Sequence, residues 1–139
     1  MKIAVISDTH WQPSQPLPKV LQLVAEQQPD LLLHAGDWTN LTLLEELRKI
    51  APVRGVAGNC DPEAEGHLLG YSKVVEAGPL RIGLTHGHLY GHLPLPAAAA
   101  RVFAEEDRPP QAVVFGHSHV PYCEMQEGLL LFNPGSAHR

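Results

Sequence analysis

Apolar positions recur along the chain in two patterns that predict its secondary structure. Short apolar runs bounded by proline, glycine or polar residues predict strands at residues 2–7, 30–34, 52–57, 71–76, 80–85, 111–115, 121–126 and 129–132. Apolar residues at helical spacing predict helices at residues 19–28, 40–50 and 94–106. The first half alternates strand and helix, which predicts a parallel sheet, whereas two hairpins predict a more antiparallel second half. The pattern favours an α/β fold of two packed sheets with helices outside.

Polar residues follow directly after several of these strands. The apolar run at residues 112–115 leads into Gly116-His117-Ser118-His119. Other strand ends carry Asp8, His10, Asp37, Asn59 and His86. Ligand sites in open α/β sheets gather at the carboxyl ends of strands. One such cluster could consist of loop residues that simply face solvent. That interpretation would have to be true of each of the clusters named here.

Composition narrows the class of protein. The 139 residues, 44% of them hydrophobic, predict one domain spanning residues 1–139. The net charge of -5, without a run of Lys or Arg, argues against a nucleic-acid or membrane surface. No apolar stretch approaches the ~20 residues of a membrane span. Met1-Lys2 leads straight into a strand, and two cysteines do not form a disulfide framework, so we expect a cytoplasmic protein.

The strand-end residues offer two carboxylates, four imidazoles and one amide oxygen. This set suits two divalent ions that share a carboxylate and keep positions open for water. Mixed nitrogen and oxygen ligands favour Mn²⁺, which we place first, or Fe²⁺, Zn²⁺, Co²⁺ and Ni²⁺. With a bridging hydroxide the site would carry about +1 and attract an anion. The expected activity is hydrolysis of a small phosphate ester.

Five motifs then resemble one family, the calcineurin-like metallophosphoesterases. They are Asp8-x-His10, Gly36-Asp37, Gly58-Asn59-x-Asp61, His86 and Gly116-His117-x-His119, in this order. The segments Gly58-Asn-Cys-Asp61, His86-Gly-His88 and Asn133-Pro-Gly-Ser136 resemble the small bacterial and archaeal phosphodiesterase branch. The resemblance covers nearly the whole chain. It implies a four-layer αββα sandwich of two mixed sheets and a phosphodiesterase in which a metal-bridging hydroxide attacks phosphorus.

The resemblance also implies roles for single residues. One ion would be held by Asp8, His10, Asp37 and His119. The other would be held by Asp37, Asn59, His86 and His117, with Asp37 bridging. The expected catalytic residues are Asp37, Asn59 and His88. For His88, contact with substrate phosphate, proton donation and a supporting structural role all remain open.

Two features depart from the family pattern. Many relatives carry a histidine after the motif asparagine, as a candidate general acid, where this chain has Cys60. We expect Cys60 to be a small buried hydrophobe. Relatives also usually continue past the Asn-Pro-Gly-Ser segment, so a closing strand or substrate-facing segment is expected to be missing after Arg139.

The remaining polar and aromatic residues have simpler expected roles. His34 should pack beneath the site, Trp11 and Trp38 should pack in the core or at its rim, and Asp61 should hold its loop through backbone hydrogen bonds. His67, His92 and His138 are expected in solvent.

A homo-oligomer is compatible with the sequence. The competing function is a metal-binding or weakly catalytic scaffold for partner proteins, which the retromer branch of the family represents; the complete ligand set favours the enzyme. A metal-dependent nuclease would need a basic groove or an added domain, and neither is found.

Overall fold

The computed structural model describes residues 1–138, which form eight strands and four helices. The strands are β1 (Ile3–Ile6), β2 (Leu31–His34), β3 (Val53–Gly55), β4 (Ser72–Ala77), β5 (Leu80–Thr85), β6 (Ala112–Val114), β7 (Tyr122–Gln126) and β8 (Leu129–Asn133). The helices are α1 (Val20–Glu26), α2 (Leu43–Arg48), α3 (Glu63–Leu69) and α4 (Leu95–Val102). Every predicted element is present, although the three predicted helices are shorter than expected. None of the helices in residues 1–138 has the length and apolarity needed to span a bilayer.

Helix α3 was not predicted, because it lacks an apolar stripe. Its only fully buried position is Gly66, where an added Cβ would collide with the ring of Tyr71. The available signals were at its ends: Pro62 precedes it, and Gly70 follows it with a φ of +78°. These are ordinary start and stop signals of a helix.

The strands form two sheets of different character. The first has the order β1-β2-β3 and is wholly parallel, and the second has the order β4-β5-β6-β8-β7. The second sheet is parallel at its centre and antiparallel at both edges, where the hairpins β4–β5 and β7–β8 lie. The expectation of two mixed sheets is therefore wrong for the first sheet. Its connections each contain a helix, α1 or α2, and such crossovers keep the strands parallel.

Three apolar clusters show how the sheets and helices stack. Leu32 of β2 packs with Leu21 of α1 and Leu47 of α2, whereas its neighbour Leu33 points to the opposite face. There Leu33 packs with residues of the second sheet, among them Ile82 and Leu84. A third cluster joins α4 and the segment after it to the other face of the second sheet, through Ala99, Phe103, Val113, Phe115 and Leu131. The layers are thus helix, sheet, sheet and helix, as the resemblance implied.

The packing of these clusters, and not the intrinsic stability of the isolated helices, holds the fold together. The helices contain six to eight residues, and isolated helices of that length are not stable in water. Burial of one leucine side chain contributes roughly 1.5–3 kcal/mol. The result is a packed scaffold whose strands hold their carboxyl ends, and the polar residues that follow them, in fixed positions.

Candidate metal centre

Two buried carboxylates lie at the centre of the candidate site. Asp8 follows β1 and is fully buried, and Asp37 follows β2 and is 2% exposed. Oδ2 of Asp8 accepts hydrogen bonds from Ser7 Oγ at 2.6 Å and from the backbone N–H of His117 at 3.1 Å. Oδ1 of Asp8 is buried and has no hydrogen-bond partner among residues 1–138. A buried carboxylate oxygen without a donor is costly, and a cation would satisfy it.

Four histidines surround these carboxylates. Nε2 of His10 lies 3.8 Å from Asp8 Oδ1 and 3.7 Å from Asp37 Oδ2. Nε2 of His86 lies 3.8 Å and 3.2 Å from the same two oxygens. Nε2 of His119 is 3.2 Å from Asp8 Oδ1, and Nδ1 of His117 is 3.3 Å from Nε2 of His86. Six of the seven residues predicted as metal ligands are therefore brought together, from the ends of β1, β2, β5 and β6.

The backbone at these strand ends is strained. Within residues 1–138, eight non-glycine residues have a positive φ, and five of them are site residues predicted from the sequence: Asp8, His10, Asp37, His117 and His119. Residues other than glycine rarely adopt a positive φ. It costs roughly 1–3 kcal/mol and persists only where the surrounding structure enforces it. Such strain is typical of functional sites.

The orientation of His86 suits a metal ligand. Its Nδ1 lies 2.8 Å from the carbonyl oxygen of Ala35 and donates to it, since a carbonyl only accepts. In the neutral imidazole, Nε2 then carries the free lone pair and faces Asp37. Burial lowers the pKa of His86, but the hydrogen bond and charge of Asp37 outweigh it, so that the pKa is raised overall. A metal ion bound at Nε2 of His86 would displace the proton that the ring otherwise carries there.

The Asp37 carboxylate is held in its charged form. Burial raises the pKa of Asp37, but the hydrogen bond and charge of His86 and the backbone N–H of Cys60 lower it more, and the net result is a pKa well below the ordinary range. The Cys60 N–H donates to Asp37 Oδ1 over 2.9 Å. Asp37 therefore offers an anion to its neighbours across the physiological pH range.

His34 and Asp61 support the site as expected. His34 is fully buried and stacks on Trp38 at 3.7 Å; its Nδ1 accepts from the N–H of Gly36, and its Nε2 lies 3.1 Å from Thr9 Oγ1. Asp61 accepts backbone N–H groups of the Asp37 and Gly58 loops. The buried Trp11 and Trp38 each donate Nε1–H to a backbone carbonyl. The histidines expected in solvent are exposed, at His67, His92 and His138.

Asn59 and His88 are less closely integrated. Asn59 lies in the loop after β3, is exposed, and makes no side-chain hydrogen bond within residues 1–138. His88 lies beside the centre, with its ring 5.6 Å from that of His86 and 6.5 Å from that of His117. Burial, and then the charges of His86 and His117, lower the pKa of His88. The roles predicted for Asn59 and His88 stay predictions.

The expectation that Cys60 is buried is wrong. Its side chain is exposed, and its backbone N–H donates to Asp37. The Cys60 sulfur, one nitrogen of His10 and one carboxylate oxygen of Asp37 lie within 4.8 Å of one another. Partial desolvation, and then the Asp37 charge, raise the pKa of the Cys60 thiol.

Several positioning residues could not be identified as such from the sequence. Thr39 Oγ1 lies 3.4 Å from His10 Nδ1. Asn133 Nδ2 donates to the carbonyl of Gly116, and Ser136 Oγ donates to the carbonyl of Asp8. The segment Asn133-Pro-Gly-Ser136 thus ties the ends of β6 and β1 together. The resemblance to the phosphodiesterase branch marked this segment, but it did not indicate these partners.

The residues present fit a metal centre. Besides the group that contains Cys60, residues 1–138 hold two others whose ligand atoms lie within 4.8 Å of one another: Asp8, His10 and His119, and Asp8, Asp37 and His86. The unpartnered Oδ1 of Asp8 lies within 4 Å of Nε2 of His10, His86 and His119. Carboxylate and imidazole are the ligands that divalent transition metals prefer.

Comparisons with known proteins agree with this arrangement. The profile of the calcineurin-like phosphoesterase superfamily domain matches residues 1–139. A probable metallophosphoesterase of Methanothermobacter thermautotrophicus is 34% identical over 137 residues, which are 98% of this chain and 77% of the relative. Phosphodiesterase YfcE of Escherichia coli is 32% identical over 156 residues, covering 98% and 79%. Among solved structures, Vps29 of Entamoeba histolytica complexed with Zn²⁺ has a TM-score of 0.78 and 27% identity, covering 98% and 74%. The chain belongs to the calcineurin-like phosphoesterase superfamily and is a metallophosphoesterase, a hydrolase of phosphoric esters.

Proposed function

We propose that the chain is a phosphodiesterase that works with two divalent metal ions. The observation that carries this proposal is the buried pair Asp8 and Asp37, faced by one ring nitrogen each of His10, His86 and His119. One ion would be held by Asp8, His10, Asp37 and His119. The other would be held by Asp37, Asn59, His86 and His117. A bridging role for Asp37 is supported by its position between His10 and His86, which approach the same oxygen, Oδ2.

Two divalent ions bound there would supply Lewis acidity to the phosphoryl group and lower the pKa of bound water towards neutrality. The protein contributes a rigid and partly dry frame. Ala35 orients the His86 ring, and Asp61 fixes the loop of Asp37. Besides its place in the second ligand set, the exposed Asn59 is assigned to the substrate side together with His88, which lies beside His86. There they would contact the phosphate or the departing alcohol.

A small phosphodiester is the proposed substrate class. The E. coli relative is named phosphodiesterase YfcE, which supports a diester as the substrate. Mn²⁺ remains our first choice of metal for the mixed nitrogen and oxygen ligand set, and the Zn²⁺ complex of the Vps29 neighbour supports Zn²⁺ as the alternative. We further propose that residues 1–139 act as one domain in the cytoplasm.

A second candidate function is a scaffold that binds metal but turns over slowly. Its support is the likeness in fold to Vps29 of Entamoeba histolytica, at a TM-score of 0.79 and 26% identity. The two candidates differ in turnover rather than in metal binding. A scaffold would bind metal and give little or no hydrolysis above the free ion, whereas the enzyme would give saturable hydrolysis that depends on Asp37.

The test is a metal and substrate screen on the whole chain. Protein stripped with chelator is reloaded with Mn²⁺, Zn²⁺, Co²⁺, Fe²⁺ or Ni²⁺ and assayed on bis(p-nitrophenyl) phosphate and on p-nitrophenyl phosphate. We expect metal-dependent hydrolysis with the diester preferred, abolished by Asp37→Asn and retained by Glu124→Gln on the exposed strand β7. Metal binding without hydrolysis of either ester would favour the scaffold, and a preference for the monoester would reject the diester assignment.

A further inference from the structure

Cys60 occupies an unusual place for a cysteine in this centre. Its sulfur, a nitrogen of His10 and an oxygen of Asp37 lie mutually within 4.8 Å, which is the spacing of ligands around one ion. The Cys60 N–H bond of 2.9 Å to Asp37 Oδ1 fixes the residue against that carboxylate. We propose that Cys60 is itself a metal ligand, and that His10, Asp37 and the Cys60 thiolate form a mixed nitrogen, oxygen and sulfur site. This inference rests on the proposed function only in requiring a divalent ion at the centre.

An independent feature points to a cation at the same place. Asp8 is fully buried, and its Oδ1 has no hydrogen-bond partner within residues 1–138. That oxygen lies 3.8 Å from Nε2 of His10, the same histidine that groups with Cys60. A buried carboxylate oxygen without a hydrogen-bond donor is destabilising, and a cation would satisfy it. Asp8 is fully buried, whereas the Cys60 side chain is exposed.

Coordination would change the chemistry of the centre. The thiol binds as the thiolate, its proton passes to solvent, and no electron transfer is involved. Thiolate is a soft ligand that favours Zn²⁺, Co²⁺ or Fe²⁺ over Mn²⁺. Cys60 would therefore shift the metal preference away from the Mn²⁺ that carboxylate and imidazole ligands alone suggest. A bound thiolate also has no proton to give to a leaving group.

Cobalt absorption tests this assignment directly. Chelator-stripped protein is titrated with Co²⁺ alone, in wild type, Cys60→Ser and Cys123→Ser. Cys123, the other cysteine of the chain, is exposed on β7 and serves as the matched control. We expect a sulfur-to-cobalt charge-transfer band in the near ultraviolet for wild type and Cys123→Ser, and its loss in Cys60→Ser. We also expect Cys60→Ser to weaken Zn²⁺ binding by at least ~10-fold and Mn²⁺ binding less.

Alkylation provides a second measurement that does not depend on a variant. Both cysteines are exposed without metal, so iodoacetamide should modify both in the stripped protein, and Zn²⁺ should protect Cys60 but not Cys123. Visible d–d bands of bound Co²⁺ without a sulfur band, or equal alkylation of Cys60 with and without Zn²⁺, would overturn the inference and leave the proposed function intact. Failure to bind Co²⁺ or Zn²⁺ at all would overturn both.

Discussion

The backbone N–H of Asp37 donates a hydrogen bond of 2.9 Å to Oδ2 of Asp61, which joins the loop after β2 to the loop after β3. The same carboxylate accepts from Gly58 N at 2.8 Å and from Thr39 N at 2.9 Å. Three backbone donors therefore converge on one side chain. Asp61 positions Asp37 from behind, without being one of the proposed ligands.

Replacement of Asp61 should weaken metal binding indirectly. Asp61→Ala leaves the N–H groups of Asp37, Gly58 and Thr39 without their acceptor, and each unsatisfied buried donor costs roughly 1–3 kcal/mol. We expect metal affinity to fall about 10–100-fold, which is usual when a partner of a metal ligand is lost. Asp61→Asn, which keeps one acceptor oxygen, should lie between Asp61→Ala and wild type. Isothermal titration with Zn²⁺ measures both, and unchanged affinity in Asp61→Ala would show that the loop holds without it.

Asp37→Ala should be the most damaging of the ligand substitutions. It removes the anion that faces both His10 and His86 and leaves positive charge uncompensated. We expect both the bound metal and diesterase activity to be lost. His88→Ala should retain metal, because the His88 ring lies beside the centre rather than between its carboxylates. Metal analysis by mass spectrometry decides the point, and metal loss in His88→Ala with retention in Asp37→Ala would invert the assignment.

The strands and the positions of the site residues were predictable, because each buried run ends in a glycine or a polar residue. The wholly parallel first sheet follows from its helical crossovers. Helix α3 was missed because its one buried position, Gly66, lies against Tyr71 and contributes no apolar period. Cys60 is exposed, and its backbone is tied to Asp37, 23 residues away. Loop contacts of this kind, including those of Asn133 and Ser136, have no local signature in sequence.

His34 should make stability depend on pH. Burial, and then the charge of His86, lower the pKa of His34 from 6.5 to about 3. Between these values the unfolded chain binds a proton that the folded chain does not. The free energy of unfolding is therefore unaffected by His34 above about pH 6.5. It falls as pH drops through this window, by at most about 1.4 kcal/mol per pH unit, because the folded chain keeps His34 neutral.

Urea unfolding of the metal-free protein from pH 7 to pH 4 measures this dependence. His34→Phe keeps a ring for stacking on Trp38 but cannot titrate, so the slope of unfolding free energy against pH should become shallower. The absolute stability of this variant should also fall, because the Gly36 N–H loses its acceptor. His92→Gln, on an exposed histidine, is the control and should leave the slope unchanged. Equal slopes in wild type and His34→Phe would mean that His34 titrates normally.

Gly58→Ala should disrupt the centre through backbone crowding. A Cβ at position 58 would collide with Oδ1 of Asp37 and come within 2.7 Å of the Asp37 backbone nitrogen. One of the two loops must shift, which would misplace the Asp37 carboxylate; we expect metal affinity to fall by at least ~10-fold. Gly91→Ala is the matched control, since its Cβ would meet only the carbonyl of His88 at 3.7 Å. Equal metal affinity in both variants would show that the loop yields without moving the ligand.

The substitution Cys60→His should change which esters are hydrolysed. Where relatives have histidine, a proton can reach the leaving oxygen as the P–O bond breaks, and such general acid catalysis contributes roughly 10²–10⁴-fold. Cys60 cannot act in this way: as a ligand it has no proton, and as a free thiol its raised pKa makes it a weak acid. Nitrophenolate leaves readily without protonation, whereas alkyl and ribose oxygens do not. We therefore expect Cys60→His to raise kcat/KM on unactivated or cyclic nucleotide diesters more than on nitrophenyl diesters. Both substrates are assayed at equal metal occupancy, with Cys60→Ser as the control that removes the sulfur and adds no acid. An equal gain on both substrates, or the same gain in Cys60→Ser, would mean that the gain comes from removal of the thiol and not from supply of a proton.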